Sequence, residues 1–205
     1  MKTPLLLASF ATAGVLLLTG CSGTDAAQPG GSGASAPQAG TGQSTGGENA
    51  QQFLARHGLA GQSAEQIVDQ LDRTNEDRHG GPVGSVRPNE LVLSDDGGQV
   101  SLPLEDNFYL AFAPYLNRTH DCFNHNLASC QGELAQQTMD VKITTGAGET
   151  LVDEPMTTFD NGFIGVWLPK DITGEITVEH EGKSVTAPIS TGAQDPTCVT
   201  TLQLT

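Results

Sequence analysis

The chain has 205 residues, with 24 acidic against 9 basic side chains, a formal net charge of -15 and only 5% aromatic residues. That balance argues against nucleic-acid binding, which needs a basic face to meet phosphates. An acidic surface keeps a protein soluble and also attracts cations, so charge alone assigns no function.

Taken from the start, Met1-Lys2 is a short basic opening and Pro4 to Leu18 is apolar. Leu18-Thr19-Gly20-Cys21 then sets small residues before a cysteine. The pattern resembles a bacterial lipoprotein signal, and the apolar run is short for a bilayer core of about 30 Å. Residues 1–20 are therefore expected to be a signal peptide. Cys21 becomes the lipid-modified N-terminus that anchors the protein outside the cytoplasm, on the cell surface or the periplasmic face. Residues 21–49 are Gly, Ser, Ala, Gln, Thr and Pro with little apolar bulk. Such a segment cannot bury enough surface to offset its ordering entropy, so it reads as a disordered tether.

An α+β fold is expected beyond it. Over residues 50–105, Phe53 and Leu54 precede Gly58, and Ser63-Ala64-Glu65-Gln66 forms a capping box ahead of Ile67, Val68 and Leu71 at helical spacing. Two short helices follow from this. After a Gly/Pro-rich break at Gly80 to Gly84, Glu90 to Leu93 and Gln99 to Leu104 flank Ser94-Asp95-Asp96-Gly97-Gly98 as a β-hairpin. Over residues 106–205, strands are expected at Phe108 to Ala113, Met139 to Thr145, Glu149 to Asp153, Phe163 to Leu168, Glu175 to His180, Lys183 to Ile189 and Thr197 to Leu204. The turns between them are spaced as in a β-sandwich or barrel. Alternation in the last strand puts Cys198 in phase with Leu202 and Leu204, facing inward.

One stretch concentrates the chemistry: His120-Asp121-Cys122-Phe123-Asn124-His125-Asn126-Leu127-Ala128-Ser129-Cys130 carries two thiols and two imidazoles in a segment of neither helical nor strand periodicity. It is expected to be a loop on a β scaffold, where binding residues are commonly borne. A Cys122–Cys130 disulfide is the plain structural reading in an oxidising compartment. It leaves Cys198 unpaired if Cys21 is lipidated, whereas a site of three thiols accounts for Cys122, Cys130 and Cys198 together. Three thiolates suit Cu(I), and adding His120 or His125 makes a Cys3His tetrahedron suited to Zn(II). A blue-copper site, with Met139 or Met156 as axial ligand, fits three thiols poorly. His57 and His79 read as solvated or capping residues, His180 as a rim residue, and Trp167 as core or interface. No Gly-x-Ser-x-Gly elbow, HExxH or phosphate-binding glycine loop supports an enzyme, and no Cys-x-x-Cys supports a redox motif.

The chain resembles the CueP family of periplasmic copper-binding proteins. The resemblance rests on Phe108-Tyr109-Leu110-Ala111-Phe112-Ala113-Pro114-Tyr115 leading into Thr119-His120-Asp121-Cys122, then on Cys130-Gln131-Gly132-Glu133-Leu134. It continues through Asn161-Gly162-Phe163, Trp167-Leu168-Pro169 and Pro196-Thr197-Cys198-Val199-Thr200-Thr201-Leu202, and upstream to Phe53-Leu54, His57-Gly58-Leu59 and Val86-Arg87-Pro88. It implies a smaller N-terminal domain used to form a homodimer and a β-rich domain that binds copper through Cys122, Cys130 and Cys198. It further implies copper tolerance, handling of Cu(I) and Cu(II), and delivery to a periplasmic copper,zinc superoxide dismutase. The lipoprotein signal and long tether depart from a freely soluble periplasmic protein and shift the expectation toward sequestration at the membrane surface. If thiols reduce incoming Cu(II), Cys122 and Cys130 are the expected pair by sequence proximity, and a thiol-disulfide reductase is needed to reset them. The rival readings are a disulfide-stapled structural or adhesive lipoprotein without metal, and a zinc module.

Overall fold

The computed structural model of the protein describes residues 49–74 and 81–205. The signal segment, Cys21, the tether up to residue 48 and His79 lie outside the described residues. Two short helices come first, each opened by reciprocal side-chain capping. Asn49 and Gln52 cap α1 (Ala50–Arg56), and Ser63 and Gln66 cap α2 (Ala64–Asp72) as the sequence predicts. Their apolar faces bury Phe53 and Leu54 on α1 and Ile67, Val68 and Leu71 on α2. His57 is the C-cap of α1, and its Nε2 lies 2.6 Å from Asp95, which Arg56 also contacts.

Eleven strands follow among the described residues: β1 (Val83–Arg87), β2 (Glu90–Asp95), β3 (Gly98–Pro103), β4 (Asn107–Phe112), β5 (His125–Asn126), β6 (Thr138–Thr145), β7 (Thr150–Thr157), β8 (Ile164–Pro169), β9 (Thr173–His180), β10 (Lys183–Ser190) and β11 (Cys198–Val199). They form three sheets, ordered β3-β2-β1-β5, β11-β4-β8 and β10-β9-β6-β7. All strand pairings are antiparallel except that of β11 with β4. The fold is α+β: a small helical start followed by a sandwich-like β assembly.

The three-stranded sheet is buried on both faces, and it divides the hydrophobic interior in two. From β4, Tyr109 and Ala111 enter a first core with α1, α2 and β1–β3, while Phe108, Leu110 and Phe112 enter a second core with β6, β8, β9 and β10. The side-chain period of two makes this split possible: both faces of one apolar strand are used. On the outer sheet, β6 alternates buried Met139, Val141 and Ile143 with exposed neighbours. Its edge strands β7 and β10 carry Pro155 and Pro188, which cannot donate to another strand and so blunt the edges.

Two local departures from the sequence reading matter for the site. Strand β1 grows out of the segment read as a Gly/Pro-rich break, because Ser85 and Val86 pair with β5 as well as β1 pairing with β2. The strand expected over Thr197 to Leu204 shrinks to Cys198–Val199, with only a parallel bridge from Tyr115 to Gln203 beyond it. Cys198, Leu202 and Leu204 are all buried, yet Cys198 faces the first core and the two leucines the second. The phase argument fails there because the ladder is interrupted between them.

Candidate metal centre

The loop after β4 is held by side chains as much as by ladders. Asn126 Oδ1 accepts from the N–H groups of Ala128 and Ser129 at 3.0 Å each, and its carbonyl accepts from Cys130 N–H at 3.2 Å. This turn folds Cys130 back toward Cys122. Thr197 ties the loop to the C-terminal segment: its hydroxyl accepts from His125 N–H at 3.0 Å and donates to the Val86 carbonyl at 2.7 Å. Cys198 N–H then donates to the Phe123 carbonyl at 3.1 Å, which lays Cys198 beside the loop.

The result is a cluster in which the ligand atoms of Cys122, His125, Cys130 and Cys198 all lie within 4.8 Å of one another. Cys122 and Cys198 are joined as a disulfide with Cα atoms 5.6 Å apart, and Cys130 is a buried free thiol whose sulfur is 3.5 Å from that of Cys122. The pairing expected from sequence proximity, Cys122 with Cys130, is therefore corrected. The parallel pairing of β11 with β4 and the Phe123 contact bring a distant cysteine to bonding distance, and sequence separation is no guide across such a ladder. His125 joins the cluster. His120 does not: its ring packs near Phe163, with ring centroids 6.1 Å apart, and its buried Nε2 has no hydrogen-bond partner.

Behind His125 lies a buried polar chain that the sequence reading missed. Asp72 Oδ1 lies 2.6 Å from His125 Nε2, and the same carboxylate accepts from Tyr109 Oη at 2.6 Å and from Asn161 Nδ2 at 2.9 Å. Asn161 Nδ2 also donates to the Asp72 carbonyl at 2.7 Å. Burial opposes charge on both Asp72 and His125, yet their contact outweighs it. The Asp72 carboxyl stays below its usual range, and the imidazole rises to about 9, aided by the nearby Cys130 sulfur. With Nε2 committed to Asp72, Nδ1 is left without a hydrogen-bond partner on the side of the sulfurs. Carboxylate-to-imidazole contacts of this kind orient metal-binding histidines. One signal did exist in the sequence: Asp72 follows Val68 by four residues, which sets a carboxylate in line with the apolar stripe and at a helix C-terminus, where negative charge is unfavourable.

Three sulfurs and an imidazole brought together on an α+β scaffold, all but Cys122 buried, are the donor set of a thiophilic metal-binding class of protein. The profile of the family described as "Periplasmic copper-binding protein CueP" matches residues 66–203. A solved structure described as "Crystal Structure of S.CueP" is 45% identical, with a TM-score of 0.73, covering 77% of this chain and 98% of that one. The chain belongs to the CueP family of periplasmic copper-binding proteins. No curated protein matches it significantly. Among the described residues no helix is long and apolar enough to cross a membrane.

Proposed function

We propose that the protein sequesters copper outside the cytoplasm, as Cu(I), through Cys122, Cys130 and Cys198 in their reduced state, and thereby contributes to copper resistance. The observation that carries this reading is the convergence of three sulfurs from two distant segments, with His125 available as a fourth donor. Cu(I) accepts low coordination and prefers thiolates, and burial of Cys130 and Cys198 would shield the bound ion from water and oxidant. The disulfide form is then the spent state: two Cu(II) ions each take one electron from a pair of thiols, which release two protons and close the Cys122–Cys198 bond. A thiol-disulfide reductase resets it. The protein binds copper stoichiometrically and is not an enzyme. Anchorage by lipid on Cys21 favours sequestration at the membrane surface over delivery to a copper,zinc superoxide dismutase, and residues 50–105 are the proposed homodimer contact.

Anaerobic competition of the fully reduced protein against a chromogenic Cu(I) chelator tests the reading. One tightly held equivalent is expected, lost when the thiols are oxidised and lost in Cys198→Ser. Undiminished affinity in Cys198→Ser overturns the three-thiol site. The participation of His125 in the cluster favours Zn(II) as the second reading, since three thiolates and an imidazole make a tetrahedral zinc set. Tight zinc binding with no retention of Cu(I) would establish that instead. A reduced, folded protein that holds neither metal returns the bridge to a purely structural role.

A further inference from the structure

We propose that the disulfide moves within the folded protein, with Cys122 as a shared pivot that bonds alternately to Cys198 and to Cys130. The geometry is that of a third sulfur in contact with a disulfide: Cys130 Sγ lies 3.5 Å from Cys122 Sγ, enclosed in the same core. Thiol-disulfide exchange begins from such an approach of a third sulfur to a disulfide, the attacking thiolate entering opposite the bond that breaks. The Asn126 N–H donates to Cys130 Sγ at 3.3 Å and so fixes that sulfur in place, within 4.8 Å of the Cys198 sulfur as well. Nothing else must enter, because nucleophile, central sulfur and leaving sulfur all belong to one chain.

In the step, Cys130 sulfur attacks Cys122 sulfur, the Cys122–Cys130 bond forms and the Cys122–Cys198 bond breaks. The bonding pair leaves on Cys198, and the proton given up by the Cys130 thiol ends on the Cys198 thiol. One disulfide and one thiol are present before and after, so no oxidant or reductant is consumed. Cys122 is the least buried of the three and sits beside exposed Phe123, whereas Cys130 and Cys198 are buried. A reductant therefore meets the same sulfur in either isomer, and all three thiols can be recovered through one point of attack. The exchange needs no metal, so its failure would leave the copper reading as it stands, and the loss of copper binding would leave the exchange as it stands.

Disulfide mapping tests it. The full chain carrying Cys21→Ser, which removes the fourth thiol, is oxidised, incubated metal-free at pH 8, quenched in acid and digested with pepsin in acid. Linked peptides are then quantified by mass spectrometry. Both Cys122–Cys198 and Cys122–Cys130 pairs are expected, with the second pair lost entirely in Cys130→Ser. Recovery of Cys122–Cys198 alone from the wild-type cluster after prolonged incubation overturns the proposal. So does a Cys130–Cys198 pair as abundant as Cys122–Cys198: those two loops are of nearly equal length, and comparable yields would mean random reshuffling through unfolding. The wild-type mapping decides the matter even if a variant misfolds.

Discussion

A carboxylate buried at the end of a helix is costly unless its environment returns the lost hydration, and Asp72 is fully buried. It is held by His125, Tyr109 and Asn161 together, so no single hydrogen bond accounts for it. Asp72→Asn keeps the shape and removes the charge. We expect a loss of about 3 kcal/mol in denaturant unfolding of the metal-free protein, as for breaking a buried ion pair. Cu(I) affinity should fall by roughly 10- to 100-fold, because the imidazole would no longer be fixed with Nδ1 toward the sulfurs. A variant that loses stability but binds Cu(I) as tightly as the parent would make Asp72 a purely structural residue. Gly165 belongs to the same arrangement: a Cβ there would lie 1.8 Å from Tyr109 Oη, so only glycine on β8 leaves room for the tyrosine to reach Asp72.

At the scale of elements, the segment that leads from β4 to the candidate metal centre is tied to the C-terminal segment through Tyr115 and Thr119, and its turn is fastened by Glu133. The Glu133 carboxylate accepts from the N–H groups of Asn117 at 2.8 Å, Leu116 at 2.7 Å and Arg118 at 3.3 Å, and the Asn117 contact leads in holding its pKa down to about 2. Because the folded value lies below the usual 4.5, this fastening is fully present above about pH 4.5 and is lost as pH falls toward 2. Glu133→Gln should therefore raise hydrogen exchange at residues 116–118 at neutral pH, with β6 and β9 unaffected; unchanged exchange would show that the turn holds itself. The strands and helices around this segment were legible in the sequence because apolar alternation and capping boxes are local signals. Strand β1 was not, since Gly84 and Ser85 break the apolar run and one of its two edges pairs with β5, some forty residues along the chain, although the other closes a tight hairpin with β2. The three cysteines and His125 were legible by residue type. Their bonding pattern and the roles of Asp72, Tyr109 and Asn161 were not, because each depends on a contact between distant segments. Asn161 precedes a glycine at φ 80°, a turn sequence on its face, but its amide is spent on Asp72.

At the scale of the whole molecule, the Cys122–Cys198 bond spans 76 residues and so encloses all of β6–β10. A cross-link over a loop of that length lowers the entropy of the unfolded chain and stabilises the fold by about 4 kcal/mol. Reduction without copper should accordingly lower the thermal midpoint, and Cu(I) added anaerobically should raise it again by mass action. A reduced midpoint equal to the oxidised one would show that the bridge does not constrain the unfolded chain. The same bond also makes the second core part of a covalent ring, and a ring has to be cut twice before it falls apart. A protease that clips the turn at Thr145 to Gly148 leaves both fragments joined for as long as the bond lasts. The reduced form has no such insurance, so a nicked molecule is then held together by packing alone until the bond closes again.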